Sequence, residues 1–281
     1  MTTIPFRAKL ASEKLCLTSE LSLGGIEQYS DLGNQLSMLR DIVDAVHVPH
    51  NARFSPLALS RILLDHNIEP ILQISSVNRS FVDLEIEVRA AVAIGVSNIM
   101  LVKGEADEQQ RTGKLSATAM LAHVSKLRQE IDQNYLLGTV ARVFKPAVSW
   151  RPTTLTSKVG AGARFIRTQL CFDPKQVKEY LAFLNRAAIA EQAPVIISTS
   201  ILPSVDAAHW LSKNLKGTHL PASLIKRLET ASDPAREGIM IAADFISALQ
   251  EIPGVGGVSL LTQGNPALVR QVVEQTDLHR L

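Results

Sequence analysis

EPILQISSVNRSFVDLEIEVRAAVAIGVSNIMLVK, residues 69–103, reads as a strand, a helix and a second strand in succession. EPILQIS (69–75) and SNIMLVK (97–103) are short apolar runs with few polar interruptions, the pattern of strands covered on both faces. Between them, Ser80 with Asp83 three residues later has the form of a capping box, and Gly95 stands where a helix ends in a left-handed turn. Two strands joined through a helix in this way run parallel, with a right-handed crossover. The unit therefore belongs to a parallel sheet whose faces are covered by helices.

The same pattern recurs outward in both directions. KLCLTS (14–19) and DAVHVPH (44–50) precede the unit; YLLGTVA (135–141), RFIRTQL (164–170), PVIISTS (194–200) and GVGGVSLLT (254–262) follow it. With the first two these make eight runs, and eight strand–helix units in about 250 residues predict a (β/α)8 TIM barrel. Ser55-Pro56, Asp173-Pro174, Asp233-Pro234 and Asn265-Pro266 each set an N-cap side chain before a proline, which fits the first helical position because no N–H is needed there. Leu32, Leu36, Leu39 and Val43 share one helical face, as do Leu121, Val124 and Leu127, and Val177, Leu181 and Leu184. Residues 141–153 read as a long loop leading to a short helix, and residues 206–251 hold three extra helical segments between strands seven and eight. Long loops after barrel strands shape or cover an active site. The glycines of GAGAR (160–164) fit a tight helix-to-strand turn, and SELSLGG after the first strand lacks the G-x-G-x-x-G of an open dinucleotide-binding sheet. Residues 1–281 are read as one barrel domain.

Composition narrows the function classes. The chain has 281 residues, is 46% hydrophobic and carries a formal charge of +2 with its basic residues dispersed, so it has no footprint for nucleic acid or an anionic membrane. No apolar stretch reaches the roughly 18–20 residues of a membrane span, and the first fifteen residues lack the apolar core of a signal peptide. A cytoplasmic protein is expected. Cys16 and Cys171 lie in apolar runs and read as buried thiols rather than a disulfide. The apolar helices permit an interface between copies without demonstrating one.

In a barrel, the polar residues closing each strand converge on one mouth. They are Glu20; His47, His50 and Asn51; Gln73 and Ser75; Lys103 and Glu105; Arg142; Thr168 and Gln169; Thr199; and Thr262. Glu20 and Glu105, from the first and fourth strands, would face one another across a ligand, one as proton donor and the other as fixed negative charge. For either carboxylate alone, a helix cap or salt bridge is the equal alternative. His47 and His50 have the spacing of a metal pair, but no third or fourth ligand accompanies them, and no metal is expected.

Three segments in order, IEPILQISSVNRS (68–80), AAVAIGVSNIMLVKGE (90–105) and SKVGAGARFIRTQLCFD (157–173), resemble the methylenetetrahydrofolate reductase family. Family members carry E-P-x-x-x-L-T-C-x-D-R-N, A-x-x-x-G-I-x-N-I-L-x-L-x-G-D and K-x-x-A-G-A-x-x-x-x-T-Q-x-x-F-D segments at these places. SELS (19–22), DAVHVPHN (44–51), ILPS (201–204) and AREGIMIAADFISAL (235–249) extend the resemblance over nearly the whole chain. It implies a flavin-dependent barrel in which FAD takes hydride from NAD(P)H and passes it to 5,10-methylenetetrahydrofolate, giving 5-methyltetrahydrofolate for methionine biosynthesis and one-carbon metabolism. Carried over, Glu20 is the general acid, Glu105 stands for a folate-binding aspartate and Gln169 is a folate contact. Gln73, Ser75, Lys103, Gly104 and Lys158 are flavin contacts, with Lys158 on phosphate. Leu211, or Trp210 beside it, is nearest to the aromatic residue that stacks on the folate. Pro49 stands where the family has a threonine near the flavin ring, SSVNRS keeps only Arg79 and a hydroxyl, and Asn265 replaces an arginine. Those departures define the alternative: a divergent folate-binding barrel without reductase activity, acting as a carrier, partner subunit or methyl-transfer component. A deazaflavin-dependent reductase would share the barrel but not these segments.

Overall fold

The computed structural model describes residues 5–278 apart from 13, 25, 51–52, 105–114, 132–134, 215–219 and 263. Eight strands, β1 (Cys16–Glu20), β2 (Ala45–Val48), β3 (Pro70–Ser75), β4 (Asn98–Val102), β5 (Leu136–Ala141), β6 (Phe165–Leu170), β7 (Val195–Ser200) and β8 (Val255–Leu261), close into one barrel in chain order. Every neighbouring pair is parallel, including the closing pair β1 and β8. Each predicted run overlaps its strand. All eight carboxyl ends therefore lie at one mouth, where barrel enzymes build their sites.

Capping chemistry sets where the helices begin. Ser80 opens α4 (Phe81–Ala93) with a complete capping box to Asp83, and Asp173 opens α7 (Pro174–Arg186) by accepting from the N–H groups of Lys175 and Gln176. Ser55 does the same for α3 (Pro56–Asp65), and Asp233 for α11 (Pro234–Gln250). Each such cap stabilises by about 1 kcal/mol. The fourth expected start shifts by one residue: α12 spans Ala267–Glu274, and Asn265 still accepts from the Ala267 N–H at 3.2 Å. The extra helices after β7 are α9 (Val205–Asn214), α10 (Ala222–Thr230) and α11. The long loop after β5 runs into α6 (Thr153–Gly160), and the expected turn follows, with Gly162 at φ +114°.

Side-chain alternation divides the core in two. Outward strand residues such as Leu17, Val46, Ile166 and Val195 meet the helices in one large apolar cluster, while Leu72, Ile99 and Leu137 meet α4 and α5 (Ala117–Ile131) in another. Inward residues near the amino ends, among them Cys16, Ile71, Met100, Phe165 and Ile196, fill the barrel floor. A helix with no counterpart in the sequence reading, α1 (Phe6–Leu10), closes that floor from below. Its Phe6 ring meets Phe165 edge-on at 5.7 Å between centroids. Gly138 makes room for the same ring, since a Cβ there would fall 2.1 Å from Phe165 Cζ.

Candidate active site

Above the apolar floor the interior turns polar on one side. Thr18, His47, Arg167, Ser198 and Ser259 are all buried, on β1, β2, β6, β7 and β8. Thr18 Oγ1 lies 3.2 Å from the Val258 carbonyl oxygen and 3.2 Å from His47 Nε2, in hydrogen-bond reach of both. The other ring nitrogen of His47, Nδ1, is buried with no hydrogen-bond partner among the described residues. Burial, with the positive charge of Arg167 adding to it, holds the imidazole well below its usual value, so the ring is neutral. His47 is thus an interior residue engaged with Thr18, while His50 lies on the mouth.

Arg167 ties this layer to the mouth. Its Nε donates to Ser198 Oγ at 3.1 Å, and its Nη1 donates to Glu20 Oε2 at 2.8 Å. The guanidinium side chain is 9% exposed and the Glu20 side chain 31%. The carboxylate therefore sits at the boundary between barrel interior and open mouth. Sequence reasoning assigned Glu20 as a proton donor and passed over Arg167; the structure gives Glu20 a cationic partner. The signal was present in RFIRTQL, where period-two alternation puts Arg167 on the same inward side as Phe165 and Gln169.

Two cavities open at the mouth. One, about 650 Å³, is lined by Gln73 and Ser75 at the end of β3, Gly104 after β4, and His50, Asn78 and Arg79 from the following loops. Gly104 adopts φ +69°, and a Cβ there would fall 2.2 Å from Ser75 Oγ, so only glycine lets the two strand ends approach this closely. Ser75 Oγ accepts from the Val77 N–H at 3.1 Å. Arg79 is ion-paired with Glu87 of α4, which ties its charge to the helix. The second cavity, about 390 Å³, lies over β5 and β6, where Arg142, Lys158 and Gln169 share a wall with Phe144, Trp150 and Tyr180. Lys158 is half-buried, donates from Nζ to the Val140 carbonyl at 2.7 Å, and is pushed below the usual lysine value by that burial. Trp150 and Tyr180 lie 5.7 Å apart at 31°, and Phe144 meets Trp150 edge-on at 5.1 Å.

The predicted residues distribute as follows. Gln73, Ser75 and Gly104 share the first cavity; Lys158 and Gln169 share the second. Glu20 meets Arg167 across the barrel. Lys103 is exposed and lines neither cavity, although its carbonyl accepts from Ser76 Oγ at 2.6 Å. Leu211 is buried in a satellite cluster with Phe172, Leu202 and Ile241, whereas Trp210 beside it is 58% exposed. Thr168 and Thr199 are buried, and Thr168 Oγ1 accepts from the Ser198 N–H at 3.0 Å. Glu105 and Asn51 lie outside the described residues. Among the described residues no cluster of three or more His, Cys, Asp or Glu is placed to hold a metal ion, and no helix is long and apolar enough to cross a membrane.

Comparison with known proteins adds three findings. A family model, described as methylenetetrahydrofolate reductase, matches residues 40–277. A solved structure from Clostridium thermocellum, of a protein that binds two copies of 5-methyl-5,6,7,8-tetrahydrofolic acid, superposes with a TM-score of 0.70 at 14% identity, covering 96% of each chain. The lyase of 2,3-dimethylmalate, from the PEP mutase/isocitrate lyase superfamily, superposes with a TM-score of 0.52 at 10% identity, covering 95% of this chain and 82% of its own. At those identities the two likenesses are of fold. No protein of curated function matches the chain.

Proposed function

The chain belongs to the methylenetetrahydrofolate reductase family, and from that premise we propose that it reduces 5,10-methylenetetrahydrofolate to 5-methyltetrahydrofolate with FAD and NAD(P)H. The observation that carries this reading is the meeting, at one barrel mouth, of a carboxylate at the interior boundary with two cavities over neighbouring strand pairs. A long ligand crossing from β3 to β6 would touch both cavities.

The residues present fit a flavin. The Gly104 position admits no Cβ, and beside it Gln73 and Ser75 supply an amide and a hydroxyl, the mixed donors and acceptors that the polar edge of a flat heterocycle needs. Lys158, a half-buried ammonium beside an aromatic wall, suits a phosphate next to a planar base. When bound, FAD supplies the capacity to accept hydride from the nicotinamide and pass it to the folate. Gln73, Ser75 and Gly104 would hold its ring, Lys158 its phosphates, and Gln169, an exposed amide on the second cavity, the folate. Glu20 would act on the one-carbon bridge, which must open to a cationic iminium before it accepts hydride; a carboxyl group there donates a proton to the departing nitrogen or stabilises the cation. Glu105 would add the second negative charge that the resemblance assigns to it.

The test is spectroscopic. Purified protein should show flavin absorbance, bleach anaerobically with NADH or NADPH, and recover colour when methylenetetrahydrofolate is added. Protein that retains flavin but gives no recovery would refute the folate half of the reading. A second reading, a folate-binding barrel without reductase activity, is favoured by Arg79 being committed to Glu87 and by Pro49 offering no hydroxyl. The folate-binding Clostridium thermocellum barrel is in keeping with it. Colourless protein that binds 5-methyltetrahydrofolate and takes up no added FAD would establish that reading.

A further inference from the structure

We infer that Arg167 is a positioning residue for Glu20, fixing the place and orientation of its carboxylate over the mouth for the folate step. The inference rests on the reading of the mouth as a folate site, and it assigns a role to a residue that the family resemblance leaves open. Three observations carry it. First, the pair spans the barrel: β1 and β6 are separated by β7 and β8, so Glu20 and Arg167 are not neighbours in the sheet. An ion pair that only reinforces the sheet would join adjacent strands. Second, Arg167 is itself held at its other edge, because Nε donates to Ser198 on β7, which leaves the guanidinium little freedom to follow a wandering carboxylate. Third, the groups beneath it are neutral: the His47 ring is uncharged, and Thr18, Ser198 and Ser259 carry hydroxyls. Among the described residues, Glu20 is the one ion-pair partner of the buried guanidinium, and the partner keeps one carboxylate oxygen, Oε1, outside that pair.

A carboxylate held in one place suits the step at the one-carbon bridge. A group fixed in advance beside the bridge needs no reorganisation when the bridge opens and the cationic iminium develops. Without Arg167, the carboxylate would lose its anchor at the boundary between barrel interior and mouth. Arg167 touches neither the folate nor the flavin in this scheme; its effect passes through Glu20.

Arg167→Met and Arg167→Lys, each alone and combined with Glu20→Gln, test this in the full chain after thermal melts confirm that each variant folds. Arg167→Met should slow flavin reoxidation by saturating methylenetetrahydrofolate by about tenfold or more, with KM for the folate changed less than about threefold and flavin reduction by nicotinamide changed less than about twofold. Arg167→Lys should recover a substantial part of the loss, because an ammonium supplies the charge without the fork. In the Glu20→Gln background, Arg167→Met should add less than about a further twofold, since a residue acting through Glu20 has nothing left to act through. Equal losses in both half-reactions, or full independent losses in the combined variant, would overturn the assignment. If wild-type protein shows no flavin chemistry, the reductase reading fails separately, and the same variants are compared by calorimetry for binding of 5-methyltetrahydrofolate. The assignment then stands if each single change weakens binding and the combined variant is no weaker than either; it falls if the effects multiply or are absent.

Discussion

Replacing Gly238 by alanine should destabilise the protein, although on propensity alone the change favours the helix. Gly238 lies in α11, and a Cβ built on it would fall 1.9 Å from the Leu202 carbonyl oxygen and 2.7 Å from its carbonyl carbon. Favourable contact between such atoms begins near roughly 3.5 Å, so the overlap is about 1.5 Å. The neighbour is backbone and has no rotamer through which to yield. Either α11 or the segment after β7 must move, and Leu202 also belongs to the cluster that holds Leu211 and Ile241. Overpacking of this kind costs about 1–3 kcal/mol, and a backbone neighbour puts it near the upper end. Against that, alanine gains up to about 1 kcal/mol over glycine in a helix interior. The net loss is about 2 kcal/mol, which in a chain of this size corresponds to a fall in Tm of roughly 4–8 °C. Thermal unfolding followed by circular dichroism measures it. Gly33→Ala in α2 (Leu32–Leu39) is the control, because a Cβ there meets nothing within 4 Å and should leave Tm unchanged or slightly higher. A Gly238→Ala protein that melts with wild type, or with the Gly33 control, would refute the close-approach argument.

Three further outcomes follow from the groups described above. Because the folded state holds His47 below the usual histidine value of 6.5 by burial and the charge of Arg167, the unfolded chain binds the extra proton between that lowered value and 6.5. Stability therefore falls as pH drops below about 6.5, by up to about 1.4 kcal/mol per pH unit from this one group. Denaturant unfolding at pH 7 and 5.5 should show a smaller pH-dependent loss in His47→Gln, which leaves the charge of Arg167 in place, than in wild type; equal losses would remove His47 from the account. Burial pushes the Cys171 thiol up to about 11 and raises that of Cys16 well above its usual value. At pH 8 a thiol reagent should label neither residue in folded protein and both in denaturant, and a rapid native reaction at either one would contradict the core described here. On the flavin reading, Lys158→Met should weaken FAD binding roughly ten- to a hundredfold, the equivalent of a charge-assisted hydrogen bond of about 1.5–3 kcal/mol, while riboflavin binds as before. Equal weakening of both flavins in a fluorescence titration would place Lys158 away from the phosphates.

The fold was legible because its determinants are local and repeated. Strands covered on both faces must be apolar runs, and caps such as Ser80 with Asp83, or Asp173 before Pro174, announce helix starts in the sequence itself. The first helix was not legible for the opposite reason. Five residues, FRAKL, show too little periodicity to announce a helix, and what holds them is tertiary: Phe6 against Phe165, and the Phe6 N–H donating to Glu69 Oε1 at 2.9 Å. Gly238 likewise looks like a weak point in a helix until Leu202 is brought against it.

The site divides along the same line. Gln73, Ser75 and Gln169 could be placed at the mouth because strand ends can be counted, but the cavity each faces depends on neighbouring strands and loops that no single run specifies. Leu211 and Trp210 show how narrow the margin is: one residue along α9 exchanges a side chain buried among Phe172 and Ile241 for one that faces solvent. Arg167 does not close its strand; it lies two residues inside β6, at a position where a charge has no business unless something across the barrel answers it. The answering group, Glu20, is 147 residues earlier in the chain (167 − 20). A charged residue on the inward face of a barrel strand is therefore the more informative signal: burial forces it to have a partner, and the partner in turn locates the chemistry.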